Sequence, residues 1–472
     1  MASRSQGTLS PLSLFAVAVG GFIFAHDFVA VGIVVPELQD HFSASLGSVQ
    51  WAITGFSIAI ALSVVPAGRL ADAYGADRTF VAGAVGFAFA SVLVAIAPEL
   101  WFLLVARGLE GLAGGFVWIS AIALIFDHYG PPRAAAAGAL VVVISGLGLA
   151  LGPVDAGLLI EWLGWRSAFL FNIPICLFAG LVVLRHRSER TPKGDRSIDW
   201  TGVALLAAAL VALLVTLRYA PGWGWGSAIT IVGLLVSLAL FAGFALQQRA
   251  WKYRALVPPD IAANRTLAVA LAGEALLGTS YYIAISFAPQ VFANALGADA
   301  IESGLMQMPT MAAFVVGGVL TGILFTGIPP SITSVAAGAV SAVGGLALAL
   351  MPDAPTYLAL LPGLLLIGLG AGSLFGALLT IGISALPEER KGLASGLLYT
   401  AQLAGGAIVL AAATAVATGV ADGATDHGFD GLVQGAQSAF LFGVAVAVIG
   451  IVTTVFGFRA ATGSSTSSSP SQ

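Results

Sequence analysis

Few side chains in this sequence can do chemistry, and most of those lie inside long apolar runs. His26 and Asp27 sit side by side in FIFAHDFVAVG, Phe22 to Gly32. Arg107 and Glu110 are three residues apart, which puts them on one face of a helix where they can pair. Glu274 stands eight residues into a further run, about 12 Å along a helix from its start. Asp155 interrupts GLGLALGPVDAGLL, Gly146 to Leu159, about 7 Å from the end of its run. A charged group in such a place is costly and is a functional candidate by default. The chemistry on offer is reversible protonation and ion pairing, because a carboxyl group held out of water can take a proton from one side and release it to the other. Asp27 leads this set, against a structural role fixed by hydrogen bonds. Arg107 and Glu110 form either a coupling pair or a structural ion pair, which is the cheaper buried state. Glu274 has three readings: a second proton site, a counter-ion for a cationic substrate, or packing. Asp155 is expected to face water at a cavity rim, and His26 is placed to tune Asp27.

The solvent of these side chains follows from composition. Of 472 residues, 58% are hydrophobic and 9% charged, whereas soluble domains carry about 25% charged residues. The chain reads as an all-α polytopic membrane protein. Its net charge of −4 names no partner and gives no footprint for nucleic acid. Cys176 is the only cysteine, so no internal disulfide can form. Met1 to Ser10 is short and polar, and the first apolar run is too long for a cleavable leader. Residues 461–472 are expected to be a disordered tail. There is no phosphate loop, metal cluster or nucleophile triad, and Arg185 to Asp199, the longest cytoplasmic segment, is short for a soluble domain. An enzyme is therefore excluded, no cofactor or metal is expected, and any work done must draw on an ion gradient.

A membrane-spanning helix needs roughly 20 apolar residues. Fourteen such runs are predicted, at 12–36, 48–71, 79–97, 100–127, 134–160, 166–184, 199–219, 226–247, 266–293, 303–327, 329–351, 357–386, 392–419 and 437–458. The chargeless turn Gly327 to Pro330 parts the tenth from the eleventh. With the N-terminus inside, sixteen of the 19 Lys and Arg fall in cytoplasmic segments, two (Arg166 and Arg218) in outer loops, and Arg107 within a helix. That asymmetry predicts both termini in the cytoplasm. Eight of the nine Trp (all but Trp118) fall near predicted helix ends, as an interfacial belt requires. A short internal repeat joins PPRAAAAG to PEERKGLASG: Arg133 and Lys391, like Gly138 and Gly396, are 258 residues apart. Weak repeats of this kind mark transporter folds. Along the fifth run, Gly146, Gly148, Ala150, Gly152, Ala156 and Gly157 give a flat face for close helix approach, and Pro153 removes a backbone hydrogen bond.

Several stretches carry a family resemblance. GRLADAYGADR (Gly68 to Arg78) resembles the loop motif between helices two and three of the major facilitator superfamily. RGLEG (Arg107 to Gly111) resembles its helix-four motif, and GLALGPVDAG (Gly148 to Gly157) resembles its antiporter motif, centred on Gly152 and Pro153. WRSAFLFNIP (Trp165 to Pro174) and DWTG (Asp199 to Gly202) resemble stretches of the fourteen-helix drug:proton antiporters within that superfamily. The resemblance spans nearly the whole chain. Departures are also present: Ala73 and Ala76 stand at usually basic positions, Asp77 where Lys or Arg is common, and Glu110 for the usual Gln. In the antiporter motif Ala156 replaces a Gly and Asp155 an apolar residue, and in helix one Val29 replaces a hydroxyl residue.

The resemblance implies two six-helix halves, 1–190 and 256–460, with two inserted helices in 191–255. It implies a conformational latch at Gly68, Asp72, Gly75 and Arg78, with Arg133 and the start of helix thirteen as partners, weakened by the missing basic residues. Gly68 and Gly75 would allow a tight turn. The helix-five motif, Gly148, Gly152, Pro153 and Gly157, would press on the opposite half as a seal. Asp27, Glu274, Glu110, Arg107 and Asp155 are the candidate coupling residues. The expected function is proton-coupled efflux of hydrophobic small molecules, cationic ones included, by a monomer in the cell membrane. Two alternatives stay open: an exporter dedicated to one metabolite or self-made antibiotic, and a transporter-like sensor or scaffold that binds without turnover.

Overall fold

Apolar runs of this length can satisfy their backbone groups in lipid only as helices or closed barrels, and the described residues are almost entirely helical. The structure is a computed structural model, describing residues 9–186, 199–251, 255–298, 300–324, 328–423 and 429–463. Among the described residues, fourteen helices are long and apolar enough to cross a membrane. They are α1 (Pro11–Phe42), α2 (Trp51–Tyr74), α3 (Ala76–Ala95), α4 (Leu100–Tyr129), α5 (Ala134–Leu163), α6 (Arg166–Arg185), α7 (Trp200–Trp223) and α8 (Ala228–Trp251). There follow α9 (Arg265–Ala295), α10 (Ala300–Leu324), α11 (Pro330–Ala349), α12 (Tyr357–Ser384), α13 (Lys391–Gly423) and α14 (Phe429–Gly463).

The sequence placed these spans closely, with three differences. Helix α1 runs on through Pro36 to Phe42. Helices α6 and α9 are each broken, at Phe171 and at Gly278. Helix α14 continues to Gly463, so the start of the expected tail is helical; 464–472, like 187–198 and Gly327, lie outside the described residues. Trp51, Trp200, Trp223 and Trp251 are the terminal residues of their helices, and Trp118 alone is buried mid-helix, stacked on Phe24 at 5.4 Å.

By their contacts the residues form two units. The first comprises Met1–Val211, Leu240–Pro258 and Leu386–Thr400. Helix α4 is its interior, with 78% of its apolar window buried, and α2, α3, α1 and α5 pack around it. The second comprises Ala212–Ala239, Pro259–Ala385 and Ala401–Gln472. There α12 is the interior, again 78% buried, against α10, α11 and α9. By contrast α8 is only 11% buried, a helix made for lipid on nearly all sides.

Glycines set the close approaches in both units, since lipid gives helices no hydrophobic reason to associate. In the first unit, a Cβ on Gly148 of α5 would stand 2.7 Å from the Phe22 carbonyl of α1. In the second, a Cβ on Gly406 of α13 would stand 2.8 Å from the Tyr282 ring of α9. The 258-residue repeat read from Arg133 and Lys391 therefore extends to Gly148 and Gly406, in equivalent helix pairs.

Candidate functional site

The first unit buries three ionisable side chains in one cluster. Arg107 and Glu110, one turn apart on α4, pair at 2.7 Å, and the same Nη1 of Arg107 donates to Asp27 Oδ2 of α1 at 2.7 Å. Arg107 Nε donates to the Ala52 carbonyl of α2 at 3.2 Å. The guanidinium lies 4.0 Å from the centre of the Phe56 ring, a cation–π contact. Asn172, first residue after the break in α6, donates to Asp27 Oδ1 at 2.9 Å, and Ser91 of α3 donates to Glu110 Oε1. Asp27 is 2% exposed, and Arg107, Glu110 and Asn172 are fully buried. Five helices thus meet on one guanidinium and two carboxylates. With both acids ionised the cluster carries a net charge of −1, and one added proton makes it neutral, so it can hold or release a single proton without dismantling the ion pair. Arg107 Nη2 and Asn172 Oδ1 have no hydrogen-bond partner, leaving polar capacity for a rearranged state.

His26 does not tune Asp27 directly. Its Nε2 lies 2.8 and 2.9 Å from the two carboxylate oxygens of Asp155 on α5. The reason is helical geometry: adjacent residues on a helix point about 100° apart, so Asp27 faces α4 while His26 faces α5. Asp155 is 32% exposed, so it is both partly open, as expected, and paired, which was not expected. His26 is fully buried between the rings of Phe22 and Phe171, and its Nδ1 has no partner.

The reading of α5 as a seal against the opposite half is corrected at two of its residues. Gly148 and Gly152 pack on α1 within the same unit, where a Cβ on Gly152 would stand 2.7 Å from both the His26 carbonyl and Val29 Cγ2. Gly157 faces open space, and α5 remains helical through position 153. The glycines therefore bring α5 onto the backbone of α1, which is what carries Asp155 to His26.

Asp72 meets a helix N-terminus. Its two oxygens accept the backbone N–H groups of Gly392 (2.8 Å) and Leu393 (2.9 Å) in the first turn of α13, all within the first unit. These N–H groups lack intrahelical partners, and the helix dipole favours an anion there. Gly68 lies inside α2, not in a turn; it is glycine because any side chain would overlap the Gly392 carbonyl. Only Gly75 takes the left-handed backbone, with φ +102°. Arg133 and Arg78 are exposed. A cation at this end is Lys391, whose Nζ lies 2.9 Å from Asp127 at the foot of α4.

In the second unit Glu274 sits one turn before the break at Gly278, 2% exposed, its Oε1 without a hydrogen-bond partner. It borders a small pocket with Tyr281, Tyr282, Phe314, Phe375 and Gln402. Among the described residues no group of three or more His, Cys, Asp or Glu could hold a metal ion.

The spacing of Arg107 and Glu110 predicts their pairing, and the structure adds Asp27 of α1 to the same guanidinium. Sequence reasoning misses Asn172 and Ser91 as members and the aromatic lining beside Glu274. Asn172 was visible only as one letter of WRSAFLFNIP. Nothing in a single sequence fixes which helix a polar residue faces.

The family model described as Major Facilitator Superfamily matches residues 17–410. The tetracenomycin C resistance and export protein of Streptomyces glaucescens is 32% identical over 408 residues, covering 84% of this chain and 74% of the relative. The multidrug resistance protein Stp of Mycobacterium tuberculosis is 28% identical, with the same 84% and 74% coverage. Among solved structures, the human organic anion transporter MFSD10 (TETRAN) aligns with a TM-score of 0.66 at 16% identity, covering 94% of this chain and 100% of that one, a likeness of fold.

Proposed function

The chain belongs to the Major Facilitator Superfamily, a multi-pass membrane transporter and not an enzyme, and on that premise we propose that it exports hydrophobic small molecules, cationic ones included, in exchange for protons. The observation that carries this reading is the buried cluster of Asp27, Arg107 and Glu110, one guanidinium shared by two carboxylates on α1 and α4. A cluster that passes between a net charge of −1 and zero on taking one proton is a natural coupling element, because its charge in a low-dielectric site cannot change without changing the preferred packing around it. The names of the relatives, one for export and resistance and one for multidrug resistance, support outward transport.

In this reading the protein lies in the cell membrane as a monomer with both termini cytoplasmic, in keeping with the Lys and Arg distribution. It consists of two six-helix halves, residues 1–190 and 256–460, with the helices of 191–255 inserted between them. Asp72 with Gly68 and Gly75 acts as a conformational latch by capping α13, and Lys391 with Asp127 supplies the basic partner that Arg78 and Arg133 do not. Asp155 joins the coupling machinery through His26. The α5 motif of Gly148, Gly152, Pro153 and Gly157 holds α1 in register for that contact.

A second reading, a dedicated exporter of one antibiotic made by the cell itself, is favoured by the likeness to the tetracenomycin C export protein. One experiment separates the two and tests both: efflux of several unrelated dyes and of candidate antibiotics from cells making the protein, with and without a protonophore. Broad, protonophore-sensitive efflux supports the first reading. Efflux of a single compound supports the second, and efflux indifferent to the protonophore contradicts proton coupling.

A further inference from the structure

The acids of the first unit have Arg107 and His26, but Glu274 has no such partner. It is 2% exposed, its Oε1 is unpaired, and no Lys, Arg or His lines the pocket that it borders. A carboxyl group so placed ionises only beside a cation. What surrounds it in place of one is aromatic. Tyr281 and Phe314 lie 5.2 Å apart at 30°, Phe314 and Phe375 6.4 Å apart at 28°, and Tyr281 and Tyr282 6.1 Å apart at 77°. Aromatic rings beside a carboxylate are the chemistry that recognises a methylated or protonated amine, since rings attract a cation and the acid offers a full charge. The backbone is shaped to the same end. Helix α9 breaks at Gly278, between Glu274 and the two tyrosines, and Gly406 of α13 leaves room for the Tyr282 ring, which a Cβ would approach to 2.8 Å.

We propose that Glu274 with Tyr281, Tyr282, Phe314 and Phe375 forms a subsite in the second unit for the cationic ammonium group of a ligand, its carboxylate serving as counter-ion and not as a further proton carrier. The proposal rests on the export reading for its biological role, while its chemistry is testable without transport.

A matched pair of dyes isolates the charge: diphenylhexatriene, and the same molecule bearing one trimethylammonium group. Binding to the purified full-length protein in detergent is followed by energy transfer from its tryptophans. The cationic dye should bind about tenfold more tightly than the neutral one. Glu274→Gln should weaken the cationic dye alone by about that factor, and leave the neutral dye within about twofold, which also reports that the variant is folded. Glu274→Asp should keep part of the preference. Tetramethylammonium chloride should displace the cationic dye from the wild-type protein and not the neutral one, a measurement that needs no variant. Equal binding of the two dyes by the wild type, or an unchanged preference in Glu274→Gln, overturns the proposal. Failure of cells to export the cationic dye while binding keeps its preference counts against the export reading and leaves the subsite standing.

Discussion

At the scale of single residues, function rests on which buried charges share a partner. Arg107 is held by Asp27, Glu110 and the Ala52 carbonyl, and lies over Phe56. Its removal strands two carboxylates. Arg107→Ala should therefore destabilise the protein by roughly 3–5 kcal/mol, read as a large fall in thermal midpoint in detergent. The double variant Arg107→Ala with Asp27→Asn should recover part of that loss, because one stranded charge is gone; no recovery would mean that the acids and the arginine are not energetically coupled. His26 is a second residue whose role follows from its partner. Asp155→Asn keeps the shape and removes the charge facing His26, so it should slow transport while leaving the Asp27 cluster intact. Unchanged transport would reduce the pair to packing. These partners were only half legible in the sequence. Residues on one helix declare their neighbours by spacing, which is why Arg107 and Glu110 were paired at sight. Residues on different helices do not, so neither the pairing of Asp155 with His26 nor the place of Asn172 beside Asp27 follows from spacing.

Helices and their junctions show the same division. Fourteen spans and the small-residue face of α5 follow from composition and period, whereas the helix that receives that face depends on rotation about the helix axis. The geometry distinguishes Gly152 from Gly157, which the sequence could not. Gly152→Ala forces a Cβ against the His26 carbonyl and should cost about 1–3 kcal/mol of stability, while Gly157→Ala enters open space and should be neutral by the same melting assay. Equal tolerance at both positions would contradict the packing of α5 on α1. At the other face of the first unit, Asp72→Asn replaces an oxygen that accepts a backbone N–H with an amide that donates. It should speed hydrogen exchange at Gly392 and Leu393 by removing a charged hydrogen bond of about 1.5–3 kcal/mol. The α7–α8 pair has its own fastener in Asp199. Burial alone would raise its pKa, but N–H groups of Gly202, Gln247, Gln248 and Leu256 hold it below the ordinary 3.8. A carboxylate depressed in the fold stabilises fully above its unfolded pKa and loses that contribution as pH falls through its folded one. Asp199→Asn should thus be destabilising at neutral pH, and its deficit against the wild type should shrink only below the usual carboxylate range.

Over the whole molecule, two units each built round a buried glycine-rich helix share the architecture but not the charge. The first carries Asp27, Arg107 and Glu110 as a self-contained set, and the second carries Glu274 with no protein cation at its pocket. We propose that protons are handled on one side of the repeat and ligand charge on the other, with the Asp27 cluster binding and releasing the coupling proton. The most direct test is proton release from purified protein in lipid vesicles when an exported compound is added, monitored by a pH-sensitive dye, for the wild type and for Asp27→Asn. The wild type should take up substrate with proton movement in the opposite direction. Asp27→Asn should still bind substrate but neither move protons nor transport uphill against a gradient. Uphill transport with normal proton exchange by Asp27→Asn would contradict the account.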